Sequence, residues 1–219
     1  MKRIVIAGTG TDVGKTFVST QLLRSLRNKS VNAIGLKPIE SGFGPEWASD
    51  AGALYAASGA PQGVEWRPRY ALPEPLSPHL AARNSGVGIE ARTAARWFHD
   101  NTIDNSAPTV TPQIEVALCE TAGGLFTPLS VKETNLDIVC ALEPCLWVLI
   151  AKNRLGVLHD VGATVRAAQT EHRAPDAIYL NTIEEDQSTE SNAIELRRVN
   201  PGLAVLEELS ALENLIGAS

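Results

Sequence analysis

The feature that most restricts what this chain can fold into is a series of short apolar runs, at residues 3–7, 31–36, 114–119, 146–151 and 177–180. Each is rich in Val, Ile and Leu and nearly continuous, which is how strands buried on both faces read. Between them lie stretches of helical periodicity at 15–27, 49–58, 89–99, 158–171 and 189–199. Strands alternating with helices need crossover connections. The pattern therefore predicts an α/β fold, a mainly parallel sheet flanked by helices on both faces. Residues 203–206 are expected to add a last short strand. A chain of 219 residues can bury one continuous core without staples, so a single domain over 1–219 is expected.

The alternation breaks down between residues 42 and 78, where Pro45, Pro61, Pro68, Pro73, Pro75 and Pro78 interrupt any long element. A long irregular connection in a compact α/β domain is usually functional. With Trp47, Trp66 and Tyr70 inside it, this one is expected to serve as a substrate loop or lid.

Composition closes off several classes. The net charge of −6 argues against nucleic acid or an anionic membrane as partner. Cys119, Cys140 and Cys145 form an odd set without a CxxC pair, which points to buried thiols in a reducing compartment. The apolar run after Met1-Lys2-Arg3 stops at Gly8, too short for a signal peptide, and 145–151 is too short to span a bilayer. A cytoplasmic protein is expected.

The strongest chemical signal is Gly-Thr-Gly-Thr-Asp-Val-Gly-Lys-Thr at 8–16, between the first strand and the first helix. Successive backbone N–H groups in such a loop make a concave anion site, and the helix N-terminus adds a positive dipole end. Asp12, Val13 and Gly14 would wrap the phosphates of ATP, Lys15 would reach the β- and γ-phosphates, and the Thr16 hydroxyl would bind Mg²⁺. The match to GxxxxGK followed by Ser or Thr is imperfect, because its first glycine falls at Thr9 and Gly8 lies one place early. A dinucleotide fingerprint would need a glycine where Val13 stands.

A second lysine, Lys37, ends the next strand and precedes Pro38, which biases it toward an extended backbone; Ser41 follows. Ligands of open α/β sheets lie outside the carboxyl ends of the strands. Two lysines at neighbouring strand ends suggest a site for a developing anion. Glu120 is read as an acid terminating the strand 114–119, followed by Gly123 and Gly124, which suits a Walker-B-like metal role. Asp50 is either a second metal carboxylate or an ordinary helix N-cap.

Taken together, the segments at 8–16, Lys-Pro-Ile-Glu-Ser-Gly at 37–42, Ser-Asp-Ala at 49–51, Glu-Pro-Leu-Ser-Pro-His at 74–79 and Glu-Thr-Ala-Gly-Gly at 120–124 resemble the dethiobiotin synthase family. Order and approximate spacing agree over most of residues 3–182. The resemblance implies a P-loop NTPase fold and a cyclo-ligase of biotin synthesis. In that reaction 7,8-diaminopelargonate, CO₂ and MgATP give dethiobiotin, ADP and phosphate through a carbamate and a carbamic-phosphoric anhydride. It further implies that Thr11, Lys15, Lys37 and Ser41 surround the carbamate and γ-phosphate, and that Thr16, Asp50 and Glu120 bind Mg²⁺. Ser77 and Pro78 would border the diamine, with His79 nearby, and Asn181 would read the adenine edge unless it is a strand-end cap. The start of a helix at Gly156, Val157, Leu158 and His159 would hold the substrate carboxylate, contributed by the second subunit of a homodimer.

The chain departs from the family at Thr121, where the family has glycine, at His159-Asp160, where Asn-His is usual, and around Glu207, near a family proline. Cobyrinate amide synthases, which are longer, fit less well. So does a partition-type ATPase switch, whose signature lysine would stand at Gly10. A paralogue that binds nucleotide without turnover is the remaining alternative.

Overall fold

The structure, a computed structural model, describes residues 1–44, 49–103 and 113–217. Pro45 and Trp47, singled out above, lie outside the described residues. In chain order the elements begin with β1 (Lys2–Gly8), α1 (Lys15–Asn28), β2 (Ala33–Leu36), β3 (Ile39–Ser41), α2 (Asp50–Ala57) and β4 (Tyr70–Leu72). They continue with α3 (Pro78–Asn84), α4 (Ala91–Thr102), β5 (Val116–Gly124), α5 (Asn135–Ala141) and β6 (Leu146–Lys152). The chain closes with α6 (Val157–Thr170), β7 (Ala177–Asn181), α7 (Thr189–Val199), β8 (Ala204–Leu206) and α8 (Leu209–Ile216).

Six strands form one sheet in the order β2-β5-β1-β6-β7-β8, and every pairing in it is parallel. On one face Val18, Leu22, Leu23 and Leu26 of α1 pack with Leu54 of α2 and Leu212 and Ile216 of α8 against Ile4, Ile6 and Leu118. The other face takes Phe98 of α4, Val139 of α5, Val161 and Val165 of α6 and Leu196 of α7 against Val5, Ala7 and Leu149. Covering both faces is why the strands read as unbroken apolar runs. β1 lies between β5 and β6, so the loop that follows it opens where the connections turn to opposite sides of the sheet. That is the position at which ligands of such sheets bind.

Two expectations need correction. The strand containing Glu120 does not end there: β5 runs on to Gly124 through a register shift, with Ile6 opposite Glu120 but Gly8 opposite Gly124. The glycines let the extended chain pass close to the loop after β1. The segment 42–78 is also less irregular than its prolines imply, because β4 pairs in parallel with β3, Ile39 opposite Tyr70 and Ser41 opposite Leu72. Strands of three residues are too short to show a period. The helices α3, α5 and α8, seven or eight residues long, were missed for the same reason. Among the described residues no helix is long and apolar enough to cross a membrane.

Candidate active site

The loop from Gly8 to Lys15 is held by contacts that only glycine permits. A Cβ on Gly8 would lie 2.9 Å from the Gly10 carbonyl oxygen and 2.9 Å from Val13 Cγ2. The glycine one place early thus has a packing reason. Gly14 has φ 89°, and a Cβ there would meet Asn181 Nδ2 at 1.9 Å. Lys15 folds back across the loop, its Nζ donating to the Gly10 carbonyl at 3.1 Å. Burial lowers its pKa to about 8, assisted by the charge of Lys37 and opposed by Glu120, Asp50 and Asp12. An ammonium so placed gains most when an anion arrives.

Lys37 is buried at the end of β2 between two carboxylates. Its Nζ pairs with Asp50 Oδ2 and lies 3.0 Å from Glu120 Oε1. Burial alone would lower the Lys37 pKa; the charges of Glu120 and Asp50 and their hydrogen bonds reverse this and raise it. The Thr16 hydroxyl donates to the same Glu120 Oε1 at 2.7 Å. Glu120 is fully buried, and its Oε2 has no hydrogen-bond partner. Orphaned buried carboxylate oxygens are costly, so this one marks a place for a donor or a cation.

Thr16, Asp50 and Glu120 therefore meet around Lys37, and the fit to Mg²⁺ is good. This ion prefers oxygen ligands and commonly takes one or two carboxylates beside phosphate oxygens. Among the described residues no group of three or more His, Cys, Asp or Glu with metal-holding geometry occurs, so a site of this kind would depend on the phosphates. The capping alternative for Asp50 fails. Ser49 is the N-cap of α2, its Oγ accepting from the Gly52 N–H at 3.1 Å.

Glu40 was not anticipated. It is buried, accepts the N–H of Asp50 at 2.8 Å and of Ala51 at 2.9 Å, and burial raises its pKa against those bonds and Lys37. The only sequence signal for it was an acid two places after Pro38 on a strand end.

A cleft of about 620 Å³ opens above these groups. Thr11, Asp12, Gly14, Lys15, Thr16, Lys37, Ser41 and Asp50 line it together with Ser77 and Pro78. The Ser41 hydroxyl is buried and has no partner. Ser77 Oγ lies 3.0 Å from His79 Nδ1, so the loop entering α3 carries its own polar pair.

A family model described as an AAA domain matches residues 2–216. The ATP-dependent dethiobiotin synthetase BioD of Anaeromyxobacter sp. (strain K) is 34% identical over 201 residues, 91% of this chain and 86% of that protein. The protein of the same name from Xanthomonas euvesicatoria pv. vesicatoria (strain 85-10) is 38% identical over 166 residues, 74% of this chain and 70% of the relative. The chain belongs to the dethiobiotin synthetase family. As a member it is an ATP-dependent ligase. Among solved structures, the signal recognition particle receptor FtsY from Elizabethkingia anophelis superposes with a TM-score of 0.55 at 12% identity, over 96% of this chain and 61% of the receptor. A ParA family ATPase from Chlorobium tepidum TLS gives 0.52 at 12% identity, over 100% and 90% of the two chains. These likenesses concern the P-loop NTPase fold alone.

Where the chain departs from the dethiobiotin synthetase pattern, the structure shows how the change is housed. Thr121 does not perturb a turn. It lies buried within β5, and its Oγ1 donates to the Ile6 carbonyl at 3.3 Å; the positive φ belongs to Gly123. Asn181 ends β7 as expected, but its Nδ2 donates to the Val13 carbonyl at 3.0 Å. One donor of the amide is thus committed to the loop. Gly156, Val157, Leu158 and His159 do start a helix, with Gly156 as N-cap at φ 97°. They do not line the cleft of their own chain. Their donors are also less free than expected: Val157 N–H bonds to the Arg154 carbonyl at 3.1 Å and His159 N–H to the Gly156 carbonyl at 3.0 Å. Arg154 is paired with Asp160 at 3.0 Å. Glu207 pairs with Arg197 at 3.1 Å.

Proposed function

We propose that this ligase closes the ureido ring of dethiobiotin from 7,8-diaminopelargonate, CO₂ and ATP, as a cytoplasmic enzyme of biotin synthesis whose residues 1–219 act as one domain. The observation that carries this reading is one cleft lined by two buried lysines and an unpartnered serine hydroxyl, with Lys37 paired to both Asp50 and Glu120. Lys37 and Ser41 would hold the carbamate formed on one amine, with Thr11 at the other side of the cleft. Lys15 and the N–H groups of Asp12, Val13 and Gly14 would hold the ATP phosphates. Both ammonium groups then stand where charge develops as the phosphoryl group passes to the carbamate oxygen, the kind of stabilisation that dominates such transfers. Held in the same cleft, the second amine attacks the activated carbon, the C–O bond breaks with phosphate as leaving group and the nitrogen gives up a proton, and closeness alone supplies much of the gain. Thr16, Asp50 and Glu120 would hold Mg²⁺, which neutralises phosphate charge when bound. Asn181 keeps an oxygen for the adenine amine. Ser77 and Pro78 border the diamine.

The start of α6 does not line the cleft of its own chain, which favours a homodimer in which Gly156 to His159 of the partner meet the substrate carboxylate. Gly156→Pro should then raise the diamine KM, whereas His159→Asn should not, and a fully active monomer by solution mass would refute the shared site.

Incubation with the diamine, ¹³C-bicarbonate and MgATP tests the main reading by mass spectrometry. One labelled carbon per dethiobiotin, with ADP and phosphate in equal amounts, is expected. ATP consumption without labelled product would favour a nucleotide-binding paralogue instead.

A further inference from the structure

Glu40 is a buried carboxylate that the reaction outlined above leaves without a role. It closes the N-terminus of α2, yet α2 is already capped. Ser49 Oγ accepts the Gly52 N–H at 3.1 Å, and the Ser49 carbonyl accepts the Ala53 N–H at 3.0 Å. Glu40 takes the two N–H groups that remain in the first turn, Asp50 on Oε1 at 2.8 Å and Ala51 on Oε2 at 2.9 Å, and the Ser49 hydroxyl at 3.3 Å. A serine cap in water serves an eight-residue helix well enough. Burying an ionised carboxylate for the same purpose is costly unless the burial does something else.

What the second cap adds is a tie to another element. Glu40 belongs to β3, three residues after Lys37. Residue 50 is thereby gripped twice, its backbone N–H by Glu40 and its carboxylate by Lys37. The grip from β3 fixes residue 50 from outside its own helix. We infer that Glu40 is a positioning residue: it sets the Asp50 carboxylate against Glu120 and Thr16 so that the three can share a divalent cation with a nucleotide. This rests on the reading of Asp50 as a metal ligand given above. Groups that orient a ligand from behind typically change metal affinity by about 10–100-fold when removed.

The test is a double-mutant cycle on Glu40→Gln and Asp50→Asn, read by equilibrium binding of a non-hydrolysable ATP analogue at increasing Mg²⁺. Glu40→Gln should raise the Mg²⁺ needed for half-maximal enhancement by about tenfold. The double variant should be no worse than Asp50→Asn, because Glu40 acts through that residue. Ser49→Ala removes the Gly52 bond and the long 3.3 Å bond to Glu40 but leaves Glu40 on the Asp50 and Ala51 N–H groups; it should lower the melting temperature and move the Mg²⁺ midpoint by less than about twofold. Should Glu40→Gln fail to fold, Glu40→Asp keeps the charge with a shorter reach and should shift the midpoint in the same direction. Additive effects in the double variant, an unmoved midpoint in Glu40→Gln, or an equal shift in Ser49→Ala would reduce Glu40 to a helix cap. An unmoved midpoint in Asp50→Asn would overturn both this inference and the metal role beneath it. The ligase reading would be untouched, since it stands on the labelled product.

Discussion

The carboxyl edge of one sheet is built in two different ways on either side of the loop after β1. Toward β5 and β2 four buried groups are charged, Lys15, Lys37, Glu40 and Glu120, beside one amide, Asn135, that donates to the Ala122 and Gly124 carbonyls. Toward β6 and β7 they are amides, Asn153, Asn181 and Asn192, and the charges stay outside. There Arg154 pairs with Asp160 and Arg197 with Glu207 in partly exposed pairs. Exposed Asp186 is drawn down to about 2 by bonds from the Ser188 hydroxyl and the Leu155 and Ser188 N–H groups. The amides are satisfied within the chain: Asn192 Nδ2 reaches Asn153 Oδ1 at 2.8 Å, and Asn153 Nδ2 reaches Thr182 Oγ1 at 3.0 Å. On the charged side Glu120 Oε2, Ser41 Oγ and Asn135 Oδ1 have no such partner. A neutral amide can be buried for the sake of backbone geometry. Buried charge with atoms left over is sensible where a ligand brings the missing partners.

The largest effect that would break this division is on Lys15. Lys15→Ala should cost on the order of 3 kcal/mol of transition-state stabilisation while the protein stays folded. Steady-state turnover and a melting curve measure the two sides. Near-normal dethiobiotin formation would mean that the buried charge is not there for the phosphoryl group.

The same residue sharpens the comparison through pH. Its pKa falls from 10.5 in the unfolded chain to about 8 in the nucleotide-free fold. Between those values the unfolded state binds more protons, so this group makes stability rise with pH across the window. The wild type should gain on Lys15→Met by at most about 3 kcal/mol between pH 8 and 10.5. Denaturant unfolding of both proteins at several pH values checks this, and a gap that does not change with pH would contradict it.

A smaller effect is expected from the amide side. Asn181→Ala strands the Val13 carbonyl and should lower stability by about 1–2 kcal/mol. ATP affinity should weaken, by direct titration, with kcat little changed. A collapse of kcat would erase the distinction between the halves. The smallest change is Thr121→Gly, which removes the buried side chain from β5. The 3.3 Å bond to Ile6 is weak, and losing a β-branched residue from a buried strand should cost about 1 kcal/mol or less, with turnover unaffected.

How far the sequence can be read differs between the halves for the same reason. The loop at 8–16, Lys37 and Asp50 were legible because their chemistry is local: spacing, a following proline, a place at a strand or helix end. The helix start at Gly156 was legible too, but not its absence from the lining of the cleft, because that depends on where α6 packs in the fold. Glu40 was invisible because the groups it caps are ten residues away on another element. The run of β5 beyond Glu120 was hidden by the register shift between Ile6 and Gly8, which no hydrophobic pattern records. The dual demand on Asn181 could not be read from its position, since the Val13 carbonyl reaches it only once β1 and β7 lie in one sheet.

Lys37 tests the division most directly, because it pairs with Asp50 and Glu120 and is the lysine that the proposed reaction sets against the carbamate. ATP-analogue binding and dethiobiotin turnover should be measured on the same preparation of Lys37→Met. The expected result is nucleotide affinity within a few fold of wild type and turnover lower by about a hundredfold or more. Turnover within tenfold of wild type, or a loss explained wholly by weaker nucleotide binding, would contradict the assignment of the chemistry to this half of the sheet edge.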